Sequence, residues 1–110
     1  MPKTPSRSDR TAAAVGLAKA VVAHVYGVTP EDLSSPKRFA RATRARQVAM
    51  YLSAVVLNMT PSEIARAFSR HRATAIYACQ RIEDMRDNAE MDRTLCWLES
   101  LVRTATGADA

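Results

Sequence analysis

A chain of 110 residues with 47% apolar side chains, 5% aromatics and three glycines is long enough for one modest core, and its supply of alanine, arginine and leucine favours helices over a β-sandwich or barrel. The net charge is +5 and thirteen of the sixteen basic residues are arginine, whose planar donor fork suits phosphate and guanine. No apolar run reaches the roughly 18 residues of a membrane span, and Cys79 and Cys96 are too few and too far apart for a metal site or a disulfide framework, so a cytosolic protein with reduced cysteines is expected.

Residues 1–8 carry two prolines, serines and basic side chains and read as a disordered tail. "MPKTPSRSDR" also lacks the apolar stretch of a signal peptide. Asp9 is expected to cap a first helix whose stripe is Ala14, Leu17, Ala18, Val21, Val22 and Val25, with Gly27 stopping it from the C′ position. "VTPEDLSSPKR" is a connector in which Thr29-Pro30 opens a short turn and Leu33 is the buried anchor. A long helix follows from about Ala42 to Leu57, with Val48, Tyr51, Leu52, Val55 and Val56 on its apolar face. "TPSEIARAF" then starts a short helix with Thr60 at the N-cap, Pro61 at N1 and Glu63 at N3, a capping box, while Ile64, Ala67 and Phe68 point inward. "SRH" is a break. The next helix runs from about Arg72 to Arg86, with Ala75, Ile76, Cys79, Ile82 and Met85 toward the core. Asp87 or Asn88 caps a last helix carrying Met91, Leu95, Leu98, Leu101 and Val102, with Trp97 set to pack against the first helix. The expected organisation is one helical domain over 9–104 and a frayed tail over 105–110.

Charge is unevenly placed. Residues 37–72 hold eight basic side chains against one acid, Glu63, whereas residues 83–110 hold seven acids and three arginines. Lys37, Arg38, Arg41, Arg44 and Arg46 crowd one stretch with no acid between them, and their mutual repulsion argues for a polyanionic partner over an idle solvated face. The capped short helix, tight break and longer helix match a helix-turn-helix, whose second helix enters the major groove N-terminus first. Arg70, His71 and Arg72 stand where the helix dipole already places positive charge, which makes sense if phosphates and guanine acceptors arrive there. Arg70, His71, Arg72, Ala73 and Thr74 therefore form the expected reading end. Arg72 or Arg70 would pair with guanine O6 and N7, and Ala73 or the Thr74 methyl would touch a thymine methyl. His71 reads equally well as an idle surface histidine. Tyr51 and Tyr77 are assigned to the core rather than to base stacking, and His24 to a plain helix face. No nucleophile–base pair, paired carboxylates or metal-ligand spacing is present, so neither an enzyme nor a cofactor is expected.

From "VVAHVYGVTPEDLSSPKR" through "RARQVAMYL" and "TPSEIARAF" to "YACQRIEDM", about residues 18–86, the chain resembles the C-terminal DNA-binding domain of the bacterial replication initiator DnaA. "RQVAMYL" is the most specific segment. The resemblance implies an all-α, Trp-repressor-like helix-turn-helix bundle of about five helices, with a basic loop that reaches the minor groove and phosphates. It places Lys37, Arg38 and Arg41 in that loop. It implies backbone and base contacts for Arg46 and Gln47, and further contacts from Thr60, Pro61 and Ser62. It also implies a bacterial, nucleoid-associated setting. On this reading Arg46→Ala should weaken all sequences alike and flatten the salt dependence. The family's reading helix opens Gly-Gly-Arg-Asp-His-Thr-Thr; the same positions here read Ser69, Arg70, His71, Arg72, Ala73, Thr74, Ala75, which predicts a changed base preference. The chain has no G-x-x-x-x-G-K-[ST] loop, so ATP-driven origin unwinding is not expected. The function expected is sequence-specific binding of double-stranded DNA, as a transcription regulator or replication-origin modulator. The rival is a protein-interaction module that keeps the fold without base reading and docks a partner through the acidic last helix. No helix beyond that one is available as a dedicated dimer element.

Overall fold

Ser6 rather than Asp9 starts the first helix in the computed structural model, which describes Thr4, residues 6–35 and residues 40–108. Helix α1 spans Arg7–Tyr26. The Ser6 hydroxyl accepts from the Asp9 amide at 3.1 Å and the Asp9 carboxylate accepts from the Ser6 amide at 3.2 Å. Asp9 is thus the N3 partner of a capping box whose cap lies three residues earlier, inside the expected tail. Gly27 ends the helix as expected. Its φ of 69° suits a residue without a Cβ, and the Gly27 and Val28 amides close back on His24 and Ala23.

The connector is more ordered than a turn. Thr29 caps a short 3₁₀ helix, Pro30–Leu33, and Asp32 returns the bond to the Thr29 amide at 3.1 Å. Leu33 is fully buried, the anchor the sequence suggested. Helix α2, Ala40–Val55, starts and stops two residues earlier than expected. It is the central helix, packed against α1, the 3₁₀ helix, and the three helices that follow: α3 (Pro61–Ala67), α4 (Arg72–Met85) and α5 (Ala89–Thr106). Ala42, Ala45 and Ala49 are buried along it, so its backbone comes close to its neighbours. Asn88 caps α5, accepting from the Met91 amide at 2.9 Å. The described residues form five α-helices and no strand, and none of these helices is long and apolar enough to cross a membrane.

Four apolar side chains outside α4 turn out differently. Val15, Ala18, Val22 and Ala23 are the buried side of α1, while Leu17 and Val25 are 45% and 37% exposed. Helix α1 sits between α2 and α5, so its core stripe is shifted toward residues 15 and 18. Val55, at the last position of α2, is 41% exposed, and Val56 turns into the core instead. Trp97 remains 53% exposed beside Val21, His24 and Val25 of α1, so it borders that helix without being covered by it.

One polar side chain sits where the stripe predicted none. Lys19 of α1 extends under the connector, where its Nζ donates to Ala67 O at 2.6 Å and to Ser34 Oγ at 3.0 Å. It lies 4.6 Å from the centroid of the fully buried Phe68 ring. Burial pushes its pKa down. The ammonium thereby ties α1 to the C-terminal end of α3, where exposed carbonyls favour a cation.

The break between α3 and α4 is a Schellman turn. The Arg70 amide donates to Ala65 O at 2.8 Å and the Ser69 amide to Arg66 O at 3.4 Å. Ser69 holds the left-handed position with φ 54°. A serine Cβ is strained there. Ser69→Gly should raise stability by about 1 kcal/mol, read as a higher urea midpoint at unchanged slope. An unchanged or lower midpoint would mean that the turn carries no strain.

Candidate nucleic-acid interface

The short helix α3 is held by its own start. Thr60 Oγ1 accepts from the Glu63 amide at 3.2 Å, and Glu63 Oε1 accepts from the Thr60 amide at 2.9 Å. That backbone bond, with the Thr60 hydroxyl and Arg7 at 3.3 Å, holds the Glu63 carboxyl below the usual carboxylate range. Thr60 and Ser62 are exposed and Pro61 half-buried, so this edge is open to a partner.

Helix α4 begins differently. His71 is its N-cap by backbone geometry but makes no side-chain cap bond, and the first turn holds no acid. His71, Arg72, Ala73 and Thr74 are all exposed. A helix start without a capping side chain presents amide donors and the positive end of the dipole together. This is the reading end the sequence suggested, with one member removed.

That member is Arg70. Its guanidinium turns inward: Nη1 donates to Phe68 O at 3.3 Å and Ser69 O at 3.2 Å, and Nη2 donates to Ser35 O. It braces the Schellman turn and crosses to the segment ahead of α2, so it does not compete with Arg72 for a guanine.

Arg46 is also turned in, against the expected direct contact. It is only 7% exposed. Its Nε donates to Leu33 O at 3.0 Å, and its Nη2 to Asp32 O and Ser35 O, both at 3.1 Å. Burial and the nearby Arg70 lower its pKa, partly offset by Asp32. Three carbonyls of one loop point at a single planar donor, a fit that only guanidinium supplies. Arg46 turns inward because the C-terminal carbonyls of the 3₁₀ helix need donors and lie over the start of α2. Arg46 and Arg70 therefore meet at Ser35 O and join the segment ahead of α2 to the helix-turn-helix break.

The outward cations are Arg41 and Arg66, which are exposed; Arg44 is half-buried, with its Nε out of solvent and unpaired among the described residues. The Arg41 guanidinium lies near the C-terminal end of α1, 3.8 Å from where a Cβ on Gly27 would stand. Gln47 is half-buried on α2. Lys37 and Arg38, expected in the basic loop, lie outside the described residues.

Sequence reading missed two residues on this face. Tyr77 is 60% exposed, not core, and Gln80 is exposed beside it. With Ala75, Ala78 and Ile82 as the buried side of α4, the 3.6-residue period puts Ala73, Tyr77, Gln80 and Asp84 along the opposite ridge. That spacing was available from the sequence alone. Tyr51 went the expected way: it is 4% exposed, and its hydroxyl donates to Glu83 Oε2 at 2.5 Å. Burial, then the Glu83 bond, raises its pKa.

The acidic last helix is less open than its composition implied. Asp92 and Glu99 both take hydrogen bonds from Arg86, at 2.6 and 2.5 Å.

A family model described as "Bacterial dnaA protein helix-turn-helix" matches residues 17–82. A chromosomal replication initiator protein DnaA from Thermodesulfovibrio yellowstonii is 31% identical over 94 residues, which is 84% of this chain and 21% of that protein. The DnaA of Desulfatibacillum aliphaticivorans is 36% identical over 91 residues, 82% of this chain and 20% of its own length. A solved structure titled as that of a DNA replication initiation factor superimposes with a TM-score of 0.81 at 31% identity, covering 87% of this chain and 30% of that one. The chain spans about a fifth of the length of the curated relatives it matches.

Proposed function

This chain belongs to the bacterial DnaA helix-turn-helix family, and from that premise we propose that it binds double-stranded DNA with its α3–α4 face. The first turn of α4 enters the major groove, with Arg72 on guanine O6 and N7 and Ala73 or the Thr74 methyl against a thymine methyl. His71 and the uncapped amides of that turn face the nearest phosphate. Thr60, Pro61 and Ser62 at the start of α3, with Arg41, Arg44 and Gln47 on α2, line the flanking backbone. Lys37 and Arg38 extend that contact. Arg46 and Arg70 position these groups rather than touch DNA. The protein acts by occupying sites in the bacterial nucleoid, as a transcription regulator or replication-origin modulator, without ATP hydrolysis of its own.

What supports this reading most is the bond from Arg70 to Ser35 O. It links the turn before α4 to Ser35, so the described end of the segment that leads toward α2 lies beside the start of the reading helix. The test is a fluorescence anisotropy titration of a duplex across salt. Affinity should fall with log salt by about 0.9 per phosphate contacted. Arg72→Ala should weaken the preferred site by about 1–3 kcal/mol and relax one base position. Affinity that ignores salt, or no binding at 50 mM salt, a level low enough to strengthen any phosphate contact, would count against the reading.

The rival module that docks a protein has one observation in its favour, the uncovered Leu17, Val25 and Trp97 on the α1 and α5 side. Reversing charge at Arg41 and Arg44 separates the two: a docking module tolerates it, a DNA binder does not.

A further inference from the structure

Tyr77 is a large aromatic side chain standing 60% exposed on the helix proposed to enter the groove. It lies in one line with Ala73, one turn before it, and Gln80, one turn after. Core packing does not explain it, since Ala75, Ala78 and Ile82 face the other way. Resting on the DNA-binding reading above, we propose that Tyr77 and Gln80 are specificity-determining residues that read adjacent A·T pairs in the second and third turns of α4.

The order of side chains along α4 supports this. In a helix lying in the major groove, the central ridge faces base edges and the flanks face the phosphate walls. Here the cation Arg81 and the hydroxyl of Thr74 sit to one side of the ridge at 100° per residue, while the ridge itself is a methyl, a phenol and an amide. Ala73 is short, so the helix can seat deeply at its first turn. Tyr77 is long enough to cross to a base edge and offers a flat apolar face to a thymine methyl. Gln80 carries the donor and acceptor pair that matches adenine N6 and N7. Asp84 ends the ridge about 16 Å beyond Ala73, with Glu83 exposed beside it. Two carboxylates there repel phosphate, so DNA must leave the helix after Gln80. The readable stretch is therefore Arg72 to Gln80, and Tyr77 is at its middle.

The experiment is binding-site selection from a random duplex pool with the wild-type chain, Tyr77→Ala, Tyr77→Phe and Gln80→Ala. Both positions are exposed, and circular dichroism of each variant checks that it folds. Wild type should select a thymine that Tyr77→Ala no longer selects and Tyr77→Phe still does. Gln80→Ala should lose an adjacent adenine and bind the wild-type site about tenfold more weakly. Replacing the selected thymine by deoxyuridine removes only its methyl group. That change should weaken wild-type binding about fourfold, the worth of one buried methyl-sized group, and leave Tyr77→Ala binding unchanged. If wild type binds duplexes but both alanine variants select the same letters, with the same response to deoxyuridine, this inference is overturned while the DNA-binding reading stands. It is overturned equally if Tyr77→Phe weakens all sequences alike with letters unchanged, since the phenol is then on a phosphate. A wild-type chain that binds no duplex overturns both.

Discussion

Arg46→Ala will lower stability by about 3 kcal/mol and weaken binding to every duplex, yet leave the salt slope of the remaining affinity unchanged. The stability loss follows from three carbonyls, Leu33 O, Asp32 O and Ser35 O, that lose a charged donor at 3.0–3.1 Å. Each such bond contributes about 1 kcal/mol net; Ser35 O keeps its bond from Arg70, while the bond to Leu33 O is the buried one and the dearest to lose. The affinity loss follows from position. The loop that Arg46 gathers is the one that leads into α2 and that Arg70 ties to the break before α4. Loosening it separates the two halves of the proposed DNA face. The salt slope stays because a guanidinium only 7% exposed neutralises no phosphate. Arg41→Ala, by contrast, should flatten the slope by about 0.9 with little change in stability. Arg46→Lys should not rescue, because an ammonium on a flexible stem cannot serve three carbonyls in the guanidinium plane. Urea denaturation and anisotropy at three salt concentrations measure all of this. A stable Arg46→Ala protein with a flattened slope would show that the side chain swings out to the backbone of DNA.

The contrast between Arg46 and Arg41 shows where sequence reasoning stops. Both read as members of one cation run, and net charge says nothing about which of them faces in. Direction depends on the carbonyls of the 3₁₀ helix, a short element that appears in sequence as a connector. Capping was legible because it is local: Thr60 and Glu63, Gly27 and Asn88 act within three or four residues of themselves. The first cap is ambiguous in sequence because Ser6 and Asp9 are both good cap residues and the box uses both. Lys19 was hidden by its stem, which packs like an apolar side chain while its ammonium reaches Ala67 O. The two tyrosines show the same limit from the other side. Tyr51 is buried because Glu83 and Arg86 meet its hydroxyl, partners 32 and 35 residues away. Among the described residues Tyr77 has no such partner, but the period of α4 alone places it on the open ridge. The fold and the helix-turn-helix were therefore readable from local signals and periodicity, whereas the division of arginines into contacts and braces was not.

Arg86→Ala should be the other large effect, and it acts far from the DNA face. Arg86 follows α4 and reaches α2 and α5 at once. Its Nε donates to Asp92 at 2.6 Å, its Nη1 to Glu99 at 2.5 Å and Tyr51 Oη at 3.0 Å, and its Nη2 to Cys96 Sγ at 3.1 Å. Burial disfavours its charge, but Asp92, Tyr51 and Glu99 outweigh that and push its pKa well above the usual value. Its side chain is 19% exposed and that of Glu99 16%, so truncation strands a carboxylate away from full solvent. Breaking a fully buried pair costs about 3–5 kcal/mol; this partly exposed one should lose about 2–3 kcal/mol, or about 10–20 °C in Tm for a domain of this size. Arg86→Met paired with Glu99→Met should recover part of that loss, because both charges leave together. Arg103, 3.8 Å from Glu99, is the nearest cation able to compensate, so Arg86→Ala in an Arg103→Ala background should fall further than the sum of the two. DNA binding by the folded fraction at low temperature should change less than tenfold, since the bracing of the reading end by Arg70 and Arg46 is untouched. If Arg86→Ala instead melts within a few degrees of wild type, the network is a surface ion pair of little consequence, and the angle of α4 is then set by apolar packing on α2 and α3 alone.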